Sequence, residues 1–224
     1  MLKPRRRLTK RQLKEDKLLT TIYQIQTYLE NEWKRIIIIG GSAVVMLILV
    51  FYFYQSNQAQ EQEAASKLYI LEFQYIERQA YDDQLVNGLE DIINQYPNTL
   101  SGGNATFYLA NAYYYLGNYQ KAEEYFEKYL DKYDGADFLK SSALAGIAAS
   151  FEQRKMYKEA SEFYLRSFEE FPDEYLVPDN MLGAARTLAL SGQKEEAKDQ
   201  CKDIIEKFPN TKQALDAERL LARL

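Results

Sequence analysis

Histidine is absent from this chain of 224 residues, cysteine occurs once, proline five times and glycine ten times. Each scarcity removes a class of function. Without histidine there is no His-ligated metal centre, no Ser-His-Asp triad and no Cys-His pair. Cys201 stands alone, so it closes no internal disulfide and carries no information on redox compartment. So few prolines and glycines argue against a turn-rich all-β fold, and an apolar content of 46% argues against wholesale disorder. No phosphate-binding run follows Gly102-Gly103. The acidic pairs Glu123-Glu124, Glu169-Glu170 and Glu195-Glu196 read as solvated helix faces, not paired catalytic carboxylates. The sequence therefore points to no enzyme and no cofactor, and its length suits one domain plus an appendage.

What is present is unevenly distributed. Residues 1–35 hold ten basic and four acidic side chains, a local charge of +6, so the rest of the chain carries −11 of the net −5. Between the two lies Ile36–Tyr54, IIIIGGSAVVMLILVFYFY, 19 residues without a charge. At 1.5 Å per residue this run spans about 28 Å as a helix, close to the hydrocarbon thickness of a bilayer. A buried core helix would show a polar face, and a signal peptide would start earlier with a shorter apolar run. An uncleaved transmembrane helix is the expectation. Lys34 and Arg35 abut one end, whereas the first basic residue beyond the other end is Lys67. The positive-inside rule then leaves residues 1–35 in the cytoplasm and residues 55–224 across the membrane. A nucleic-acid-binding arm is the weaker reading of the same basic run, so no nucleic-acid partner is expected.

Upstream of the span, Thr9 to Gln12 fits a helix-start capping box, and Leu18, Ile22, Ile25, Leu29 and Trp33 recur at helical spacing as one apolar stripe. This face suits either the anionic leaflet or a docked protein, with the leaflet favoured because it needs no further molecule. Gln55–Glu63 lacks glycine and proline and is expected to prolong the helix as a polar spacer.

Repetition begins beyond the spacer. Pro97, Asp134, Pro172 and Pro209 each follow an aromatic residue, at separations of 37, 38 and 37 positions. Glu90-Asp91-Ile92-Ile93 with Tyr96-Pro97-Asn98-Thr99 is echoed by Lys202-Asp203-Ile204-Ile205 with Phe208-Pro209-Asn210-Thr211. Periods of this length mean a solenoid of helix pairs, each burying its apolar face only against its neighbours.

The stretch Leu109-Ala110-Asn111-Ala112-Tyr113-Tyr114-Tyr115-Leu116-Gly117-Asn118-Tyr119-Gln120-Lys121-Ala122 resembles a tetratricopeptide repeat (TPR). Ile147, Ala148, Phe151, Tyr157, Ala160 and Tyr164 repeat its pattern, as do Ala184, Ala185, Leu188, Gly192, Ala197 and Cys201. Lys155 replaces the turn glycine in the second unit, and the family's early tryptophan is absent. The resemblance implies an all-α fold: a single N-terminal transmembrane helix, then a TPR-like α-solenoid of about four helix pairs and a C-terminal capping helix. The expected boundaries are 1–35 for the cytoplasmic segment, 36–54 for the span, 55–63 for the spacer and 64–224 for the TPR domain. Within the last, units fall at about 64–99, 103–136, 141–174 and 178–211, with a cap at 212–224. The leading unit joins a helix over 64–79 to one over 84–95. Cys201, at the position of Phe126 and Tyr164, is expected to be an apolar filler.

By the same resemblance, the first helix of each pair lines an inner groove. Its candidate residues are Phe107, Asn111 and Tyr114, then Ala145, Ala149 and Glu152, then Leu182, Arg186 and Ala189. Arg186 is the only basic one, so the acidic-tail clamp of some TPR domains is not implied; it either holds a partner group or pairs with Glu152. The whole layout is similar to the YfgM-type ancillary subunits of the SecYEG translocon. That likeness implies a bacterial inner-membrane protein with a cytoplasmic N-terminus and a periplasmic TPR domain. Its implied partners are translocon subunits, periplasmic chaperones and nascent envelope proteins, with no small-molecule substrate. A scaffold of an envelope-assembly or cell-division complex is the alternative, and a signalling adaptor working through Leu18–Trp33 a third.

Overall fold

In a computed structural model of the protein, residues 10–73 and 81–224 are described. Thr9 and the residues before it lie outside the described residues, as does the end of the expected helix over 64–79. No strand occurs among the described residues. The chain divides into two compact units, residues 1–56 and 57–224.

The first unit holds most of helix α1, Lys10–Leu71. Nothing between those limits breaks a helix. No proline lies there, and Gly40 and Gly41 each cost only about 1 kcal/mol relative to alanine. The stripe residues Ile22, Ile25, Leu29 and Trp33 are exposed, as are the apolar residues from Ile37 to Tyr54. The segment Ile37–Leu71 is long and apolar enough to cross a membrane, by length and composition, and its apolar window is 0% buried.

In the second unit the last turns of α1 pack against α2 (Asp83–Gln95), and Ala64 and Leu68 are buried there. The expected spacer is more than a spacer at its far end: Glu61 accepts hydrogen bonds from the Ser101 hydroxyl (2.6 Å) and backbone N–H (3.2 Å). Those groups open α3, where the helix dipole favours an anion. Lys67 Nζ donates to Tyr96 Oη at 2.8 Å and to Gln95 Oε1 at 2.9 Å, tying α1 to the end of α2.

Helix pairs then follow in order: α3 (Leu100–Tyr115) with α4 (Tyr119–Lys132), α5 (Asp137–Gln153) with α6 (Tyr157–Glu169), and α7 (Val177–Leu190) with α8 (Lys194–Lys207), closed by α9 (Lys212–Leu221). Each helix touches the next, and α3 also reaches α5 while α7 reaches α9. Side-chain oxygens of Asp82, Thr99, Asn118 and Thr211 cap α2, α3, α4 and α9, each accepting from the backbone three residues on. Gly102 and Gly103 lie inside the first turn of α3. Both are needed for close approach: a Cβ on Gly102 meets the Tyr96 carbonyl oxygen, and one on Gly103 lies 2.9 Å from the Tyr133 ring.

The core runs continuously from Ala64 through Leu89, Leu109, Phe126 and Tyr129 to Phe151 and Ala160. Smaller clusters carry it onward through Ala148, Tyr164 and Ala184, and through Met181, Cys201, Ile204 and Ala217. Cys201 is completely buried, and burial pushes its thiol pKa up, so it fills the core as a small apolar side chain.

Candidate functional site

The first helices of the three complete pairs, α3, α5 and α7, line a pocket of roughly 400 Å³, with Phe126 of α4 and Tyr164 of α6 also on its wall. The pocket takes in Asn111, Tyr114, Ala145, Ala149, Leu182 and Arg186 from the residues expected on the groove. Small side chains explain the concavity. Ala145, Gly146 and Ala149 leave α5 without bulk on this face, between the tyrosines of α3 and the Leu182–Arg186 face of α7.

Tyr114 packs edge-on against Tyr115 (5.7 Å between ring centroids) and Tyr119 (5.4 Å). Tyr115 in turn stacks on Tyr81 at 4.3 Å. Desolvation raises the Tyr114 phenol pKa, so the group stays neutral and offers an amphipathic surface for contact. Asn111 Nδ2 donates to the Phe107 carbonyl one turn earlier at 2.9 Å, which orients the amide along the groove wall.

Glu152 and Arg186 meet at one side of the pocket. Arg186 Nε donates to Glu152 Oε1 at 2.7 Å and Nη2 to Oε2 at 2.8 Å, a bidentate pair across α5 and α7. Tyr164 Oη, from α6, donates to the same Oε2 at 3.2 Å. The bond to Glu152 raises the guanidinium pKa, and burial, with the Glu152 charge second, raises that of the Tyr164 phenol. Of the two readings of Arg186 left open by the sequence, pairing with Glu152 is the one the structure contains.

Phe107 does not line the pocket. It is buried between α3 and α4, edge-on to Phe126 (5.7 Å) and Tyr129 (5.6 Å), because those α4 rings close over the first half of α3. Ala189 is half-buried and is not among the pocket's residues. The sequence reading missed Tyr115, Asp179 and Asn180, which do line it. Pro178 at the start of α7 was the available signal, since it fixes the first turn that carries Asp179 and Asn180. Among the described residues, no group of three or more acidic or cysteine side chains is placed to hold a metal. The arrangement offers contact area, hydrogen-bond donors and one neutralised ion pair, and no nucleophile–base pair.

Residues 29–170 match the model of a family described as tetratricopeptide repeat-like domain. The chain belongs to this TPR-like family. The matched stretch takes in the apolar run 36–54 as well as the helices up to α6, and a second model, tetratricopeptide repeat, matches residues 179–211 across α7 and α8. Among solved structures, the chain is similar to nearly identical TPR-like repeats of a Podosopora anserina protein assigned as a kinesin light chain. Identity is 17%, coverage is 74% of this chain and 83% of that one, and the TM-score is 0.54. A structure of the same protein with one substitution gives the same values. BtubC (BKLC) from P. vanneervenii is 18% identical over 75% of this chain and 62% of its own, with a TM-score of 0.40. No curated protein matches. The likeness to solved structures concerns the fold, and the TPR array makes the chain a protein-interaction adaptor.

Proposed function

We propose that the protein is a membrane-tethered TPR adaptor that binds polypeptides on the far side of the membrane as an accessory factor of the SecYEG-type secretion translocon. One observation carries this reading: a chain whose repeats enclose an aromatic, small-residue groove also exposes an unbroken apolar helical segment. Exposed apolar surface of that extent is unstable in water and stable in lipid. The basic flank at Lys34 and Arg35 supports a cytoplasmic N-terminus and a TPR domain on the opposite, periplasmic side of a bacterial inner membrane. Tethering raises the local concentration of a weak groove near chains emerging from a channel, so modest intrinsic affinity suffices.

Affinity purification of the intact chain from native membranes in mild detergent tests the assignment. Translocon channel subunits together with diverse unfolded envelope precursors and periplasmic chaperones are the expected companions. A single folded partner in stoichiometric amount, with no channel subunit, overturns it in favour of a scaffold.

A further inference from the structure

The groove contains one basic residue, and that residue is already occupied. Arg186 turns two of its donors onto Glu152, whose carboxylate is held in place from behind by the Tyr164 hydroxyl. The Glu152 side chain is only 17% exposed, whereas that of Arg186 is 46% exposed. The carboxylate is thus set into the wall while the guanidinium faces the groove. Asp179 of α7 is the one acid among the lining residues, and its only described partner is the neutral Gln213 amide at 2.8 Å. Glu152 stands behind the lining and not in it; counted with it, two acids against one base give a formal charge of −1.

We infer that Glu152 is a specificity-determining residue that makes the groove reject acidic polypeptide segments and accept neutral or basic ones. The inference rests on the proposed reading of the groove as a polypeptide site and narrows the class of chain it takes. A partner carboxylate approaching Arg186 finds the guanidinium's bidentate face filled and meets the charge of Asp179. Discrimination of this kind works by placing a repulsive charge against the wrong partner. A backbone carbonyl meets no such penalty, because the guanidinium carries five N–H donors and only two are engaged by Glu152.

The test uses the full chain in lipid nanodiscs and two short rhodamine-labelled peptides with amidated ends. One alternates tyrosine and serine; the other replaces alternate serines with aspartate. Fluorescence anisotropy of the intact protein should show the neutral peptide bound at least about tenfold more tightly. Glu152→Gln keeps the shape and removes the charge, so it should raise affinity for the acidic peptide by about tenfold and leave the neutral one within about twofold. Adding Arg186→Gln should abolish that gain. Thermal unfolding of each variant checks the fold, with Glu152→Ala in reserve if Glu152→Gln fails to fold. An unchanged acidic-to-neutral ratio in Glu152→Gln, or a gain that survives Arg186→Gln, overturns the inference. If the intact chain binds neither peptide but Glu152→Gln captures the acidic one, the rejection of acidic segments by Glu152 stands, while the acceptance of neutral ones and the polypeptide-binding function of the native groove fall. If no variant binds either peptide, both fall.

Discussion

Three turns join the two helices of a repeat, and each places one residue in the left-handed region: Gly117 at φ +77°, Lys155 at +60° and Gly192 at +91°. The hydrogen bonds are the same at all three. Gly117 N–H donates to the Tyr114 carbonyl and Asn118 N–H to that of Tyr113; Lys155 and Met156 do the same to Glu152 and Phe151, and Gly192 and Gln193 to Ala189 and Leu188. This is the Schellman closure of a helix end, in which only the residue after the cap pays for its Cβ. The left-handed conformation costs a non-glycine residue about 1 kcal/mol. Lys155→Gly should therefore stabilise the protein by roughly 1 kcal/mol, less the extra entropy glycine gains when unfolded. Urea denaturation of the full chain in micelles reads this directly, and a fall in the midpoint would contradict it. The sequence already marked Lys155 as the departure from the family's glycine. It could not show that the backbone ignores the departure, because the turn is held by main-chain bonds that no side chain specifies.

At the scale of helices, rings of one pair rest on glycines of the next. The Phe126 ring lies on Gly146, and that of Tyr164 lies within 3.0 Å of where a Cβ on Gly183 would stand. One repeat further, Cys201 replaces the ring, and Leu220, 37 positions after Gly183, replaces the glycine. Bulk has moved from α8 to α9, keeping the cluster around Cys201 and Ala217 filled. Gly183→Ala places its Cβ 2.8 Å from Tyr164 Cε1. Overpacking of this kind costs about 1–3 kcal/mol and outweighs the helix-propensity gain of roughly 1 kcal/mol. A net loss of up to about 2 kcal/mol is expected on thermal or urea unfolding, and a gain in stability would contradict it by showing that the ring moves freely. The repeat period was legible because aromatic-turn signals recur every 37 or 38 positions. The continuity of α1 was legible across residue 55, where glycine and proline are lacking, but not across residue 36. The change of composition there looked like an element boundary, but composition selects the solvent around a helix, whereas only proline, glycine and caps stop its backbone. The candidate groove was partly legible through the TPR resemblance, which put Asn111, Tyr114, Ala145, Ala149, Leu182 and Arg186 on the inner face. The resemblance could not tell that α4 rings cover that face at Phe107.

For the whole molecule, the central claim is that the lining of α3, α5 and α7 is the surface that meets other polypeptides. Photo-crosslinking in native membranes addresses it whatever the client is. A photoreactive residue is placed at Tyr114 or Leu182 in the groove, and at Lys202 on the exposed side of α8 as a control. Mass spectrometry then identifies the adducts. The account predicts several different polypeptides captured from the two groove positions and few or none from Lys202. Equal capture from all three positions, or adducts from Lys202 alone, would contradict it and place the interaction surface elsewhere on the repeats.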